Sequence, residues 1–224
     1  MLILFIGFSL LGFLMWNEVK GLFSTTAKSP STSINSSVQQ ENILLVHIDD
    51  LTSDDPRLVS VWAVFFTPSN PPTLTMRELY PDLYDDQNVD EIKSLFSINS
   101  NGELDSKFIK KMDMYQIQWT GIMLVDHQAI AAFDDWLDIK NPPQSVQQAI
   151  DIPGALIQAD DELDWFGMVC KQIQTLDLQD LPHMSWTEII PKHMHSDLYF
   201  DELITIWDTL ASSEIPPHCE TLAP

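Results

Sequence analysis

At 224 residues, with 45% of them apolar, the chain holds enough apolar material for one substantial core. Its 33 Asp and Glu against 11 Lys and Arg give a formal net charge of −22, spread along the chain. That field argues against a nucleic-acid partner, because binding phosphate chains draws on Lys and Arg to displace counterions. With Arg57 and Arg77 as its only arginines, the chain is also poorly suited to chemistry built on an arginine cluster.

Met1 to Trp16 is apolar apart from Ser9, and the first charge is Glu18. A run of this kind belongs in a bilayer or a signal sequence, with Asn17 to Phe23 extending it toward the roughly 20 residues of a full span. No convincing small-residue cleavage pattern follows, which favours an uncleaved anchor over a removed signal. Ser24 to Gln40 is rich in Ser, Thr, Asn and Gln, the composition of a flexible tether. The expected organisation is an anchor over residues 1–23, a Ser/Thr-rich linker over 24–40 and a domain over 41–224. Anchor, polar stalk and domain together predict a cell-membrane protein with one N-terminal anchor and its domain outside the cytoplasm.

Asn42 to Ile48 reads NILLVHI, a short β-rich run that stops at Asp49 and Asp50. These two carboxylates are expected at a sheet edge, where α/β folds usually place their sites. Leu58 to Phe66 is apolar on both faces and reads as a central strand, with Thr73 to Leu79 pairing beside it across the Pro-rich turn 68–72. An irregular segment and a helix follow, and the stretch from Asp85 to Met114 has no defined topology in this reading. Gln118 to Val125 is the next expected strand. Asp126 is placed to cap the helix DHQAIAAFDDWLD, whose Ile130, Phe133 and Leu137 share one face. Asp160 or Asp161 is placed to cap a further helix striped by Leu163, Phe166, Val169 and Ile173, and a last helix runs from Phe200 to about Leu210. Strands and helices in this order predict an α/β fold, a three-layer α/β/α sandwich with a central mixed sheet, preceded by the N-terminal membrane anchor. Cys170, among apolar residues, reads as a buried thiol; a bridge to Cys219, the only other cysteine, requires a distance that sequence does not fix.

From residue 42 to about 210, this order of pieces resembles the LytR-CpsA-Psr family. Its members are membrane-anchored extracytoplasmic domains that transfer glycopolymers from a polyprenyl pyrophosphate carrier to the cell wall. NILLVHIDD is similar to the family's first strand, with His47 where Gly is usual and Asp49 matching the acid. RLVSVWAV occupies the place of the Arg-x-Asp-Thr motif: Arg57 is kept, Val59 replaces the Asp and Ser60 the Thr. LYPDLY stands for Ile-Pro-Arg-Asp, with Asp82 in the Arg position. DIKNPP replaces the Gly-Gly-Val-Asp turn, and the later arginine pair has no counterpart. The resemblance implies a tunnel for the polyprenyl tail, whereas pyrophosphate transfer needs concentrated positive charge from arginines or a divalent ion. The missing charges therefore predict a divergent, noncatalytic member, a degenerate phosphotransferase that binds a polyprenyl-linked glycan or an envelope protein during cell envelope assembly.

Two other readings stay open. One is an active Mg-dependent glycopolymer phosphotransferase using Asp49, Arg57 and Arg77 as ligand-binding residues, with Asp49 and Asp50 as candidate Mg²⁺ ligands, hard oxygen donors helped by Asp54 and Asp55. The other is a structural protein-interaction domain. His193 and His195 form an H-x-H pair that would share one strand face as zinc ligands, against the commoner reading of surface histidines. No spacing singles out a glycosidase pair, and neither a nucleophile elbow nor a Gly-rich phosphate loop is present.

Overall fold

The structure, a computed structural model, describes residues 40–81, 86–99, 102–152, 155–175 and 186–222. The expected anchor and most of the linker lie outside these residues, as does Asp82. Among the described residues no helix is long and apolar enough to cross a membrane.

The elements run β1 (Glu41–Ile48), β2 (Leu58–Thr67), β3 (Thr73–Tyr80), α1 (Asp86–Leu95), α2 (Ser106–Met112), β4 (Gly121–Val125), α3 (His127–Trp136), α4 (Gln144–Asp151), α5 (Ala159–Thr175), α6 (Trp186–Ile189), β5 (Met194–Ser196), α7 (Phe200–Ala211) and β6 (His218–Leu222). Six strands form one sheet in the order β5-β4-β1-β2-β3-β6. It is mixed: β1 runs parallel to β4 and β3 to β6, while β1–β2, β2–β3 and β4–β5 are antiparallel. The mixed α/β class thus agrees with the sequence.

Alternation along the central strands sorts side chains between two cores. Leu44, Val46, Ile48, Val61, Ala63 and Leu124 point to one face, covered by Ile92 of α1 and Phe108 and Met112 of α2. Leu45, Trp62, Phe66, Met76 and Val125 point to the other, against Ala129 and Ile130 of α3, Val146 of α4, and Trp165, Phe166, Val169 and Ile173 of α5. Complete burial of Trp62, the largest side chain at the centre of the sheet, is worth about 2–3 kcal/mol over leaving it exposed.

Several sequence expectations are refined. β4 begins at Gly121 rather than Gln118, because residues 118 and 120 meet β1 partly through side chains: Asn42 Nδ2 donates to the Gln118 carbonyl and Asn42 N to Thr120 Oγ1. Gly121 must be small, since a Cβ there would lie 2.3 Å from Leu198. Asp126 caps α3 as expected, Oδ1 accepting the N–H groups of Gln128 and Ala129. Asp160 and Asp161 do not cap α5, which has already begun at Ala159; Asp161 instead accepts the Ser145 N–H in the first turn of α4. Cys170 is not a free thiol but is bridged to Cys219, tying α5 to β6 inside the core. The region without assigned topology contains α1 and α2, the cover of the face that carries Leu44, Val46 and Ile48.

Candidate functional site

The richest polar cluster gathers where β1 and β4 end and β2 begins. His47 of β1 stands opposite Ser60 of β2 on one side and Val125 of β4 on the other, so one row of the sheet leads to the Asp49 and Asp126 that follow these strands.

Asp49 is 8% exposed and clasps the β1–β2 loop. Its Oδ1 accepts the N–H groups of Arg57 at 2.7 Å and Asp50 at 2.9 Å, and its Oδ2 accepts Arg57 Nε at 2.7 Å. A backbone bond from Asp49 N to the Arg57 carbonyl closes the same loop. The sequence-predicted pair Asp49 and Arg57 is therefore brought together, as a loop clasp whose charges answer each other. Asp50 turns back on Thr52, which donates both its N–H and its hydroxyl to Oδ1. The Thr52 hydroxyl is the main cause that holds the Asp50 pKa below the ordinary carboxylate value. Arg77 lies elsewhere, exposed in the middle of β3 between Ala63 of β2 and Leu222 of β6.

Asp126 joins three elements. While Oδ1 caps α3, Oδ2 accepts Leu51 N from the β1–β2 loop at 3.2 Å and meets His193 Nδ1 at 2.9 Å. His193 is thus committed to Asp126. His195 is half-buried and packs where a Gly102 Cβ would come within 2.6 Å of its ring, and burial lowers its pKa. The two histidines of the H-x-H pair serve different neighbours.

Behind this edge lies a buried chain that the sequence reading passed over. Glu162 of α5 receives His47 Nδ1 at 2.6 Å and the Ser60 hydroxyl at 2.8 Å on one oxygen, and Ser60 in turn accepts the Trp62 indole N–H at 3.0 Å. His127, the first residue of α3, packs edge-on against His47 with ring centroids 5.1 Å apart. Burial, then the neighbouring His47, pushes the His127 pKa down to about 4, so it is neutral at pH 7. Ser60, Glu162 and His47 do not make a nucleophilic triad, because the carboxylate sits between hydroxyl and imidazole and no base is placed to take the serine proton. The sequence did carry one signal for Glu162: at helical spacing it falls on the buried stripe with Phe166, Val169 and Ile173, an acid on an apolar face.

For a phosphate ligand this edge offers little. A helix N-terminus is a ready anion site, yet the first N–H groups of α3 are taken by Asp126 itself. For Mg²⁺ the fit is poor as well. Asp49 has both oxygens engaged by Arg57, Asp50 has one engaged by Thr52, and among the described residues no group of three or more His, Cys, Asp or Glu is disposed to hold a metal ion.

On the same face, toward the far end of α3 about 14 Å from its first residue, Phe133 and Trp136 meet Trp186 of α6 and Trp207 of α7. All four are only partly buried, as are Leu203 and Ile206 beside them. This leaves an aromatic and aliphatic surface open to contact. At the opposite end of β2, a shallow polar cleft of about 270 Å³ is lined by residues including Ser69, Thr209 and Glu214, with no Lys or Arg among its lining residues.

No family model matches the chain, and no curated protein sequence matches it. Solved structures do. A Bacillus subtilis protein described as the transcriptional regulator yvhJ aligns over 84% of this chain and 83% of its own at 12% identity, with a TM-score of 0.51. B. subtilis TagV aligns over 84% of this chain and 85% of its own at 10% identity, with a TM-score of 0.50. At this identity the likeness concerns the fold alone, and it supports a LytR-CpsA-Psr-like fold.

Proposed function

We propose that this chain is a divergent LytR-CpsA-Psr-like extracytoplasmic domain of the cell envelope, held to the membrane by its N-terminal segment. In this reading it binds a polyprenyl-linked intermediate without transferring the polymer. The observation that carries the noncatalytic reading is the charge cancellation at the sheet edge. Arg57, the only arginine there, donates to Asp49, and the α3 N-terminus is capped by Asp126. A transferring pyrophosphate needs donors and cations aimed at its oxygens, and loss of one such group commonly costs about a hundredfold or more in rate.

Binding by the apolar tail is supported by the partly buried surface of Phe133, Trp136, Trp186 and Trp207, aromatic rings that offer much apolar area to a prenyl chain. An oxidising compartment is supported by the Cys170–Cys219 bridge, which uses both cysteines of the chain. Because the head group finds few donors, the tail carries the affinity. Titration of the full chain in detergent micelles, read by tryptophan fluorescence, should give a long-chain polyprenol and its pyrophosphate affinities within about tenfold of each other, a difference of about 1.4 kcal/mol. Binding only of the pyrophosphate, and only with Mg²⁺, would return the edge to the phosphotransferase reading.

A further inference from the structure

The chain from Asp201 to Leu222, which carries most of α7 and all of β6, joins the fold through little apolar burial: over these residues only Leu210, Pro217 and Cys219 are buried. β6 lies at the margin of the sheet beside β3, with His218, Glu220 and Leu222 exposed along it. Its ties include the parallel register with β3 and the His218 N–H to the Pro72 carbonyl at 2.9 Å. Two further ties reach α5: Gln174 Nε2 donates to the Cys219 carbonyl at 2.6 Å, and Cys219 is bridged to Cys170. α5 itself is anchored in the core by Trp165, Phe166, Val169 and Ile173. The bridge therefore pins a thinly packed margin to a well-packed helix. Segments with few buried apolar contacts open most readily, and a crosslink opposes opening by restricting the freed chain. α7, which precedes β6 in the same segment, supplies Trp207, whose ring centroid lies 4.3 Å from that of Trp136, with Leu203 and Ile206 beside it. One wall of the aromatic surface thus belongs to the segment that the bridge pins.

We propose that Cys170–Cys219 is a redox latch on that surface. Reduction by a protein dithiol frees β6 from the sheet margin, lets α7 move off α3 and takes Trp207 out of the prenyl site. What the surface binds rests on the proposed function; the latch itself does not. A thiolate of the dithiol attacks Cys219 Sγ, forming a mixed disulfide and releasing Cys170 as a thiolate that takes up a proton. The second thiol of the reductant then displaces Cys219, so the reductant leaves as its own disulfide and the chain keeps two thiols. Both cysteines are 5% exposed, so the exchange proceeds as β6 frays from the margin.

The test compares the full chain in micelles, oxidised and reduced by dithiothreitol without denaturant, with Cys170→Ala/Cys219→Ala as a second route to the open latch. Amide exchange followed by mass spectrometry should accelerate about a hundredfold over residues 200–222 in both reduced chain and variant, while β1 and β2 keep their protection. Polyprenol affinity, read by tryptophan fluorescence, should fall by more than about tenfold on loss of the Trp207 wall and return on reoxidation. A bridge that dithiothreitol reduces only in urea would overturn the proposal. So would exchange that rises evenly across the sheet, or not at all, or an affinity indifferent to reduction. A chain that binds no polyprenol in either state would overturn the proposed function and the gating role with it, and the exchange pattern would still decide whether the bridge latches the segment.

Discussion

Asp134 sits on α3 at 8% exposure, with the Trp165 indole N–H donating to its Oδ1. Burial raises its pKa from 3.8 to about 6, against the Trp165 bond, which lowers it. Above pH 6 the folded chain therefore carries a buried carboxylate that the unfolded chain ionises freely. A shift of about two pKa units at roughly 1.4 kcal/mol per unit makes this cost about 3 kcal/mol. The sign follows from the raised folded value: the penalty is fully present above pH 6 and disappears as pH falls from 6 toward 3.8. In Asp134→Asn the amide oxygen still accepts from Trp165 and the charge is gone. The new amide N–H costs about 1–3 kcal/mol if it finds no partner, but that cost does not depend on pH. The difference between variant and parent should therefore change by about 3 kcal/mol in favour of the variant between pH 4 and pH 8. Urea unfolding at both pH values, followed by tryptophan fluorescence, measures it. An effect of equal size at pH 4 and pH 8 would refute the reasoning.

His127 should act in the opposite direction. Its folded pKa of about 4 lies below the ordinary 6.5, so stability worth about 3 kcal/mol is lost as pH falls from 6.5 to 4, and His127→Leu should abolish that loss in the same unfolding series. Reduction of Cys170–Cys219, which spans 49 residues, should lower stability by about 2–4 kcal/mol in chemical denaturation, and thiol titration of the untreated, denatured chain should find no free sulfhydryl. Gly121→Ala should cost about 1–3 kcal/mol by driving a methyl into Leu198, a cost that Gly121→Ala/Leu198→Ala should partly relieve.

The sheet centre was legible because β1, β2 and β3 are dense apolar runs bounded by Asp, Pro and Thr, and the α3 cap was legible because an Asp stands directly between strand and helix. α1 and α2 were not, since their apolar positions, Ile92, Phe108 and Met112, are few and separated by lysines and acids, so periodicity is weak until the sheet supplies the opposing face. β6, with its pattern of exposed His218, buried Cys219 and exposed Glu220, depends on the bridge to α5 and on pairing with β3, two contacts that join residues far apart in sequence. At the site, Asp49 and Arg57 were found by motif position, but their mutual neutralisation is a matter of distance. Glu162 and His127 were overlooked because each lies in a helix read for its apolar face alone.

The central claim of the proposed function is that the chain binds a polyprenyl-linked intermediate by its apolar tail without transferring the polymer. Incubating the full chain in micelles with a glycan-linked polyprenyl pyrophosphate and Mg²⁺, and following cleavage of the carrier bond by mass spectrometry, tests it most directly. The account predicts bound but intact substrate and no difference between the parent and Asp49→Ala. Turnover that requires Mg²⁺ and is lost in Asp49→Ala would contradict it.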